Sequence, residues 1–122
     1  MRCSGKQMTL GELIAALKRK DQEADVTFGW AYNRPSGVYS YRGYYEDLAI
    51  GFSREGECTV AKLVAMLEAA NGKTFTGWKG GEYDMHDETA MWAANPGESC
   101  SMAIVDVVEV GHQIWLKTEM VP

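Results

Sequence analysis

The stretch Tyr39–Phe52, YSYRGYYEDLAIGF, sets Arg42 among four phenol rings, Tyr39, Tyr41, Tyr44 and Tyr45, with Gly43 beside it. A guanidinium fork matches phosphate geometry and aromatic faces accept a base, so this grouping could hold a planar, anionic ligand. Gly43 would let the backbone turn or come close to such a ligand. A plainer reading fits the same residues: tyrosines covering a sheet, with Arg42 paired to Glu46 or Asp47. Judged by these residues alone, the plainer reading is the more economical.

Other groupings carry less chemistry. Gly77-Trp78-Lys79-Gly80-Gly81 could offer backbone N–H groups and a lysine to an anion, but the order of a Walker loop is absent and the spacing suits a hairpin turn. Asp84, His86, Asp87 and Glu88 are metal-capable types whose spacing matches neither an EF-hand nor an HExxH frame, so they read as a solvated acidic loop and no metal site is expected. His86 and His112 are the only histidines, no nucleophile lies in a legible pairing with a base, and no catalytic residue is expected. What accumulates is an aromatic and polar set without a reactive group: Tyr41, Tyr44, Tyr45, Trp78, Tyr83 and Trp92, with Arg42, Lys79 and Asn95. Stacking rings, phosphate-binding cations and an amide able to read a base edge are what nucleotide binding without turnover requires. The same aromatics also build cores and dimer interfaces.

Two helices must position these residues. Thr9 and Glu12 form a capping box, Met8 can staple onto Leu13, and Leu10, Leu13, Ile14 and Leu17 make one apolar stripe that ends near Lys20. The pattern recurs fifty positions on, at Thr59, Val60, Leu63, Val64 and Leu67, with Cys58 in the place of Met8 and Asn71-Gly72 as the stop. Two equivalent helices, each followed by β-like sequence, are expected to pack on one sheet. Asp25–Trp30 reads as the first strand, Asn33–Gly37 as a turn, and Glu46–Ser53 as a strand pairing with the first. Lys73–Trp78 and Thr89–Ala93 read as short strands, and Asn95-Pro96-Gly97-Glu98 as a turn. Met102–Val110 and His112–Thr118 form a hairpin around Gly111. The class expected is α+β: a mainly antiparallel sheet of five to seven strands with two amphipathic helices on one face. Residues 1–7 are expected to fray, leaving 8–122 as one ligand-binding domain.

With 122 residues the chain can bury a core without staples, and its net charge of −5 disfavours duplex nucleic acid, which needs a basic face. Cys3, Cys58 and Cys100 are odd in number and widely spaced, which argues for a reducing cytoplasm and against zinc. No apolar run approaches a membrane span.

Taken together, S-Y-R-G-Y-Y-E-D-L-A-I-G at Ser40–Gly51, the T-V-x-x-L helix and G-K-T-F-T-G-W-K-G-G-E-Y at Gly72–Tyr83 resemble the phage Thoeris anti-defence proteins of the first type. The similarity runs from Met8 to near Thr118. It implies a small α+β protein that assembles into dimers or higher homo-oligomers, binds cyclic ADP-ribose isomers made by bacterial TIR-domain enzymes, and sequesters them uncleaved without a cofactor. Some members also hold cyclic trinucleotides from CBASS-type defence at separate sites. The family's pocket uses arginines on phosphates, an aromatic ring on the base and an asparagine. Carried onto this chain, these are Arg42, Tyr83 and Asn95, with Arg34 and Lys79 as the remaining cations and Tyr44 and Trp92 from the aromatic set as further ligand contacts. Two other classes stay open: an interaction protein that blocks a host protein through its aromatic surface, and a small hydrolase of ADP-ribose-like compounds.

Overall fold

The computed structural model describes residues 7–28, 34–41, 44–53, 56–76, 81–93 and 101–121, leaving aside the side chains of 39–41, 44–46, 76, 101, 120 and 121. Among them helix α1, Leu10–Lys18, starts where the capping box places it. Glu12 N–H donates to Thr9 Oγ1 (3.2 Å) and Thr9 N–H to Glu12 Oε1 (2.9 Å). Helix α2, Val60–Ala70, is capped by Thr59, which accepts from Lys62 N–H at 3.2 Å. It stops at Asn71, and Gly72 then takes a φ of +83° that a side chain would resist. Leu10, Leu13 and Leu17 of one helix and Leu63 and Leu67 of the other are fully buried, each such burial stabilising by about 1.5–3 kcal/mol. Both stripes enter a single core, with Met8 packed against it and Cys58 inside it.

The strands are β1 (Asp25–Thr27), β2 (Arg34–Tyr41), β3 (Tyr44–Ser53), β4 (Thr74–Thr76), β5 (Glu82–Asp84), β6 (Met91–Ala93), β7 (Ser101–Val110) and β8 (Gln113–Val121). Six form one sheet in the order β1-β8-β7-β6-β3-β2, while β4 and β5 pair separately. The six-stranded sheet is mixed but mainly antiparallel: β1/β8 and β3/β6 run parallel, the other three pairs antiparallel. The β7–β8 hairpin turns at Gly111, whose φ is +61°. No described helix is long and apolar enough to cross a membrane.

This order contains a two-fold relation. Moving three places along it carries β1, β8 and β7 onto β6, β3 and β2, and parallel and antiparallel pairings are preserved. The helices follow the same relation. Leu10 N–H donates to Thr89 O (2.7 Å), Gly11 N–H to Asp87 O (2.9 Å) and Met91 N–H to Met8 O (3.1 Å). Fifty positions on in the helix and sixty-five back in the loop, Val60 N–H donates to Ala24 O (2.9 Å), Ala61 N–H to Gln22 O (3.0 Å) and Val26 N–H to Cys58 O (2.7 Å). Each helix start is therefore held by a loop leading into a strand, the loop before β6 for α1 and the loop before β1 for α2. The two loops match internally as well. Ala24 N–H bonds Asp21 O as Thr89 N–H bonds His86 O, and Glu23 N–H bonds Asp21 Oδ1 as Glu88 N–H bonds His86 Nδ1.

Several strand expectations need correction. The first strand ends at Thr27 and pairs with β8, not with the strand after residue 44, because the crossed helices place β1 at the far end of the sheet. Arg34–Gly37 is not a turn but the start of β2, where a register shift between Pro35 and Gly37 accommodates the proline in a strand at the sheet's edge. Tyr39 and Tyr41 lie on β2 and Tyr44 and Tyr45 on β3, so the tyrosines belong to a strand pair and not to a loop. Gln7, assigned above to the fraying end, is buried, and its Nε2 donates to Met91 O at 2.8 Å. The turn at residues 95–98 lies outside the described residues.

The clasp generates an unequal pair of substitutions. A Cβ on Gly11 would lie 3.1 Å from both the Cβ and the carbonyl oxygen of Asp87, the oxygen that accepts the Gly11 N–H. Gly11→Ala should therefore destabilise by about 1–2 kcal/mol despite the better helix propensity of alanine. Ala61→Gly, at the matching position, should lose about 1 kcal/mol from propensity alone. Urea unfolding of both variants checks this; a stabilised Gly11→Ala would contradict the close approach.

Candidate functional site

The motif Ser40–Gly51 folds as the outer hairpin of the sheet. Tyr39 pairs with Ala49, Ser40 with Leu48 and Tyr41 with Tyr44, so residues 42 and 43 are the whole connection between two long strands. Arg42 lies outside the described residues, as do Lys79 and Asn95. Tyr44 is the first residue of β3.

Trp92 sits on β6 between Ala49 of β3 and Ala103 of β7, and these small residues make room for its ring. It is 5% exposed, and its Nε1 donates to Asp47 Oδ2 at 2.7 Å. The indole is thus part of the sheet's packing, with a carboxylate satisfying its one polar atom. Forty-five residues separate that donor from its acceptor, and nothing in the local sequence links them.

Tyr83 on β5 pairs with Phe75 and is half-buried against the main core. Its ring lies over Gly81, where a Cβ would come within 2.8 Å of the hydroxyl, so the glycine is what lets the tyrosine take this place. Lys73 Nζ stands 5.2 Å from the centroid of Phe75, and Thr74 Oγ1 donates to Asp84 Oδ1.

Arg34 opens β2 opposite Ser53 and is partly buried; its Nε is buried without a hydrogen-bond partner. It lies within electrostatic reach of Cys58, a free and fully buried thiol. Burial pushes that thiol's pKa above its ordinary value; Lys62 and Arg34 oppose the rise and Asp25 adds to it. A thiol shifted in this direction is a poor nucleophile. His86 spends its Nδ1 as acceptor for Glu88 N–H at 3.1 Å, and His112 is exposed beside the hairpin turn. Among the described residues no three histidine, cysteine or acidic side chains cluster as metal ligands.

The β2/β3 ladder has two ends, and Tyr41 with Tyr44 closes one of them. Parallel β6 ends at Ala93, level with Ile50 of β3. Ala93 therefore stands about 20 Å from Tyr44 along β3, at ~3.4 Å for each intervening residue. Arg34, paired with Ser53, shares the Ala93 end.

Two shallow grooves, of about 400 and 600 Å³, flank α1 and share Gly11, Ala15 and Asp87 in their walls. Neither contains a residue carried over above as a ligand contact, although Asp87 and Glu88 of the acidic stretch line them. Lys18 and Glu68 bridge the helices over the first at 2.6 Å, both half-exposed, so the pair contributes little.

Comparison with family models, with curated proteins and with solved structures returned no match.

The thiol gives a pH prediction. A raised pKa means the folded state favours the protonated form, so this contribution to stability is complete below the unfolded thiol's pKa and is lost as pH rises through the folded one. Melting temperature should fall on the alkaline side, and Cys58→Ala, although less stable overall, should show a shallower alkaline decline. Equal slopes in the two proteins would remove Cys58 from the account.

Proposed function

We propose that this chain is a non-enzymatic sponge for cyclic ADP-ribose-type immune signals, acting in the host bacterial cytoplasm as a phage anti-defence protein. The observation that carries this reading is that the described residues of the Ser40–Gly51 motif form a strand pair, β2 with β3, in register from Tyr39 with Ala49 to Tyr41 with Tyr44. Paired strands hold the residues that flank a site more accurately than a long loop does, and accuracy is what bidentate phosphate recognition requires. The commitment of Cys58 and His86 to burial and to a turn supports binding over turnover.

The ligand would be held between two chains. A sponge that competes with a sensor needs a dissociation constant near nanomolar, about −12 kcal/mol. A ligand of roughly thirty-five heavy atoms at ~0.3 kcal/mol each supplies about 10, so nearly all of its surface must be enclosed. Within one chain the strand register sets Tyr44 and Ala93 well apart along β3. A two-fold dimer brings the tip of one chain to the other end of its neighbour, and Arg42, Tyr83 and Asn95 can then share a pocket. Further assembly would leave room for cyclic trinucleotides at a second site.

The test is to mix purified protein with a TIR-derived cyclic signal, remove free ligand, denature by heat and identify what is released. Intact signal is expected; a cleaved product would replace the sponge by a hydrolase, and no retained ligand would leave a protein-blocking role. Arg42→Lys should weaken binding at least tenfold with the charge unchanged. Sedimentation of the ligand-bound protein at low micromolar concentration should give a dimer or larger, and a monomer that binds at nanomolar strength would refute the shared pocket.

A further inference from the structure

The two helices match in position but not in the face they turn outward. On α1 that face carries Glu12, Ala15, Lys18 and Arg19, with Gly11 partly exposed among them. Residues seven apart lie two turns from each other on one side of a helix. Glu12 and Arg19 therefore share a side, three residues before and four after Ala15, and they are of opposite charge. The matching pair on α2, Lys62 and Ala69, carries no such opposition. Gly11 and Lys18 share the other side, where Gly11 N–H bonds Asp87 O. The ridge between the two sides is low, since neither Gly11 nor Ala15 reaches beyond Cβ. A groove runs along each flank, about 400 Å³ toward Lys18, Glu68 and Asn71 and about 600 Å³ toward Glu12 and Glu88.

We infer that this face of α1 docks a second copy of the chain, the two α1 helices crossing antiparallel at Ala15. A two-fold axis beside Ala15 carries a position after it onto the same side before it, so the contact is isologous and closed. Arg19 of each copy then meets Glu12 of the other, and Lys18 of each comes beside Gly11 and Asp87 of the other. Lys18 is already bridged to Glu68 at 2.6 Å within its own chain, so the Glu12–Arg19 pair sets the register. A charge order that answers itself under this operation is what selects a second copy as the occupant. A parallel arrangement would bring acidic end to acidic end and basic end to basic end. Each low ridge can enter the facing groove, which lets the helix axes approach to about 8 Å, the near end of packing distances. The contact involves neither Arg42 nor a ligand and stands independently of the sponge reading.

The full chain, without ligand, is sedimented from low micromolar to submillimolar concentration. Its mass is expected to rise with concentration from 13.5 kDa toward twice that value. Ala15→Glu sets two carboxylates against each other at the axis, and Arg19→Glu sets acid against acid at both ends of the crossing. Each should weaken association at least tenfold, since like charges brought together across an interface are costly. Both positions are exposed, so neither variant should change the melting of the dilute monomer. Joining Glu12→Arg to Arg19→Glu exchanges the two charges and should restore association, with Thr9 still capping the helix. A native chain that stays monomeric overturns the interface. So does Ala15→Glu that associates like the native chain, or an exchanged pair that associates no better than Arg19→Glu alone. Capture of a basic helical peptide by a monomeric chain would overturn it as well, by giving the grooves another occupant. An associating native chain that retains no cyclic signal supports the interface and removes the sponge alone.

Discussion

Each helix in this protein begins on hydrogen bonds that it cannot supply itself. The first amides of an α-helix have no partner within it, and left buried and unpaired they would cost several kcal/mol. Here the first two are taken by carbonyls of the loops that lead into β6 and β1: Leu10 and Gly11 by Thr89 and Asp87, Val60 and Ala61 by Ala24 and Gln22. Two residues bind the crossing together. Gln22 accepts from Ala61 through its backbone while its side chain donates to Leu17 O and Lys20 O at the end of α1. Asp87 accepts from Gly11 through its backbone and from Asn71 Nδ2, at the end of α2, through its carboxylate. Each therefore joins the end of its own helix to the beginning of the other. Neither half can complete its helix alone, and the two leucine stripes merge into one core because the crossing brings them there. The sheet order follows, since β1 and β6 continue directly from the clasped loops.

Much of this was legible where side chains alone decide the outcome. Thr9 and Thr59 cap as read because a hydroxyl at that position satisfies an amide in almost any context, and the fifty-residue repeat of the stripes announced two equivalent helices. The β7–β8 hairpin was legible from alternation around a single glycine. The sixty-five-residue repeat of the loops was not. It is carried by backbone groups, which any side chain leaves available, and of residues 21–28 and 86–93 only Glu23 and Glu88 agree. Arg34–Gly37 misled because Pro, Ser and Gly in a row favour a turn, and only the edge position of β2 and its register shift allow a strand there.

The site was less legible than the fold for a related reason. Type and spacing put Trp92 in the aromatic set of candidate ligand contacts as readily as in a core. What distinguishes Trp92 is the pair of alanines flanking it and Asp47 on a strand reached only through the tertiary pairing. Conversely, nothing local marks the Nε of Arg34 as a buried donor without a partner.

The crossing of the two halves is tested most directly by native-state hydrogen exchange at the amides of Leu10, Gly11 and Met91 on one clasp and Val26, Val60 and Ala61 on the other. If each half depends on the other, all six should exchange only through global unfolding, with one free energy and one denaturant dependence. Exchange of either set at a free energy lower by more than about 1 kcal/mol would show that one clasp opens while the other stays closed, and that the halves are neighbours but not interlocked.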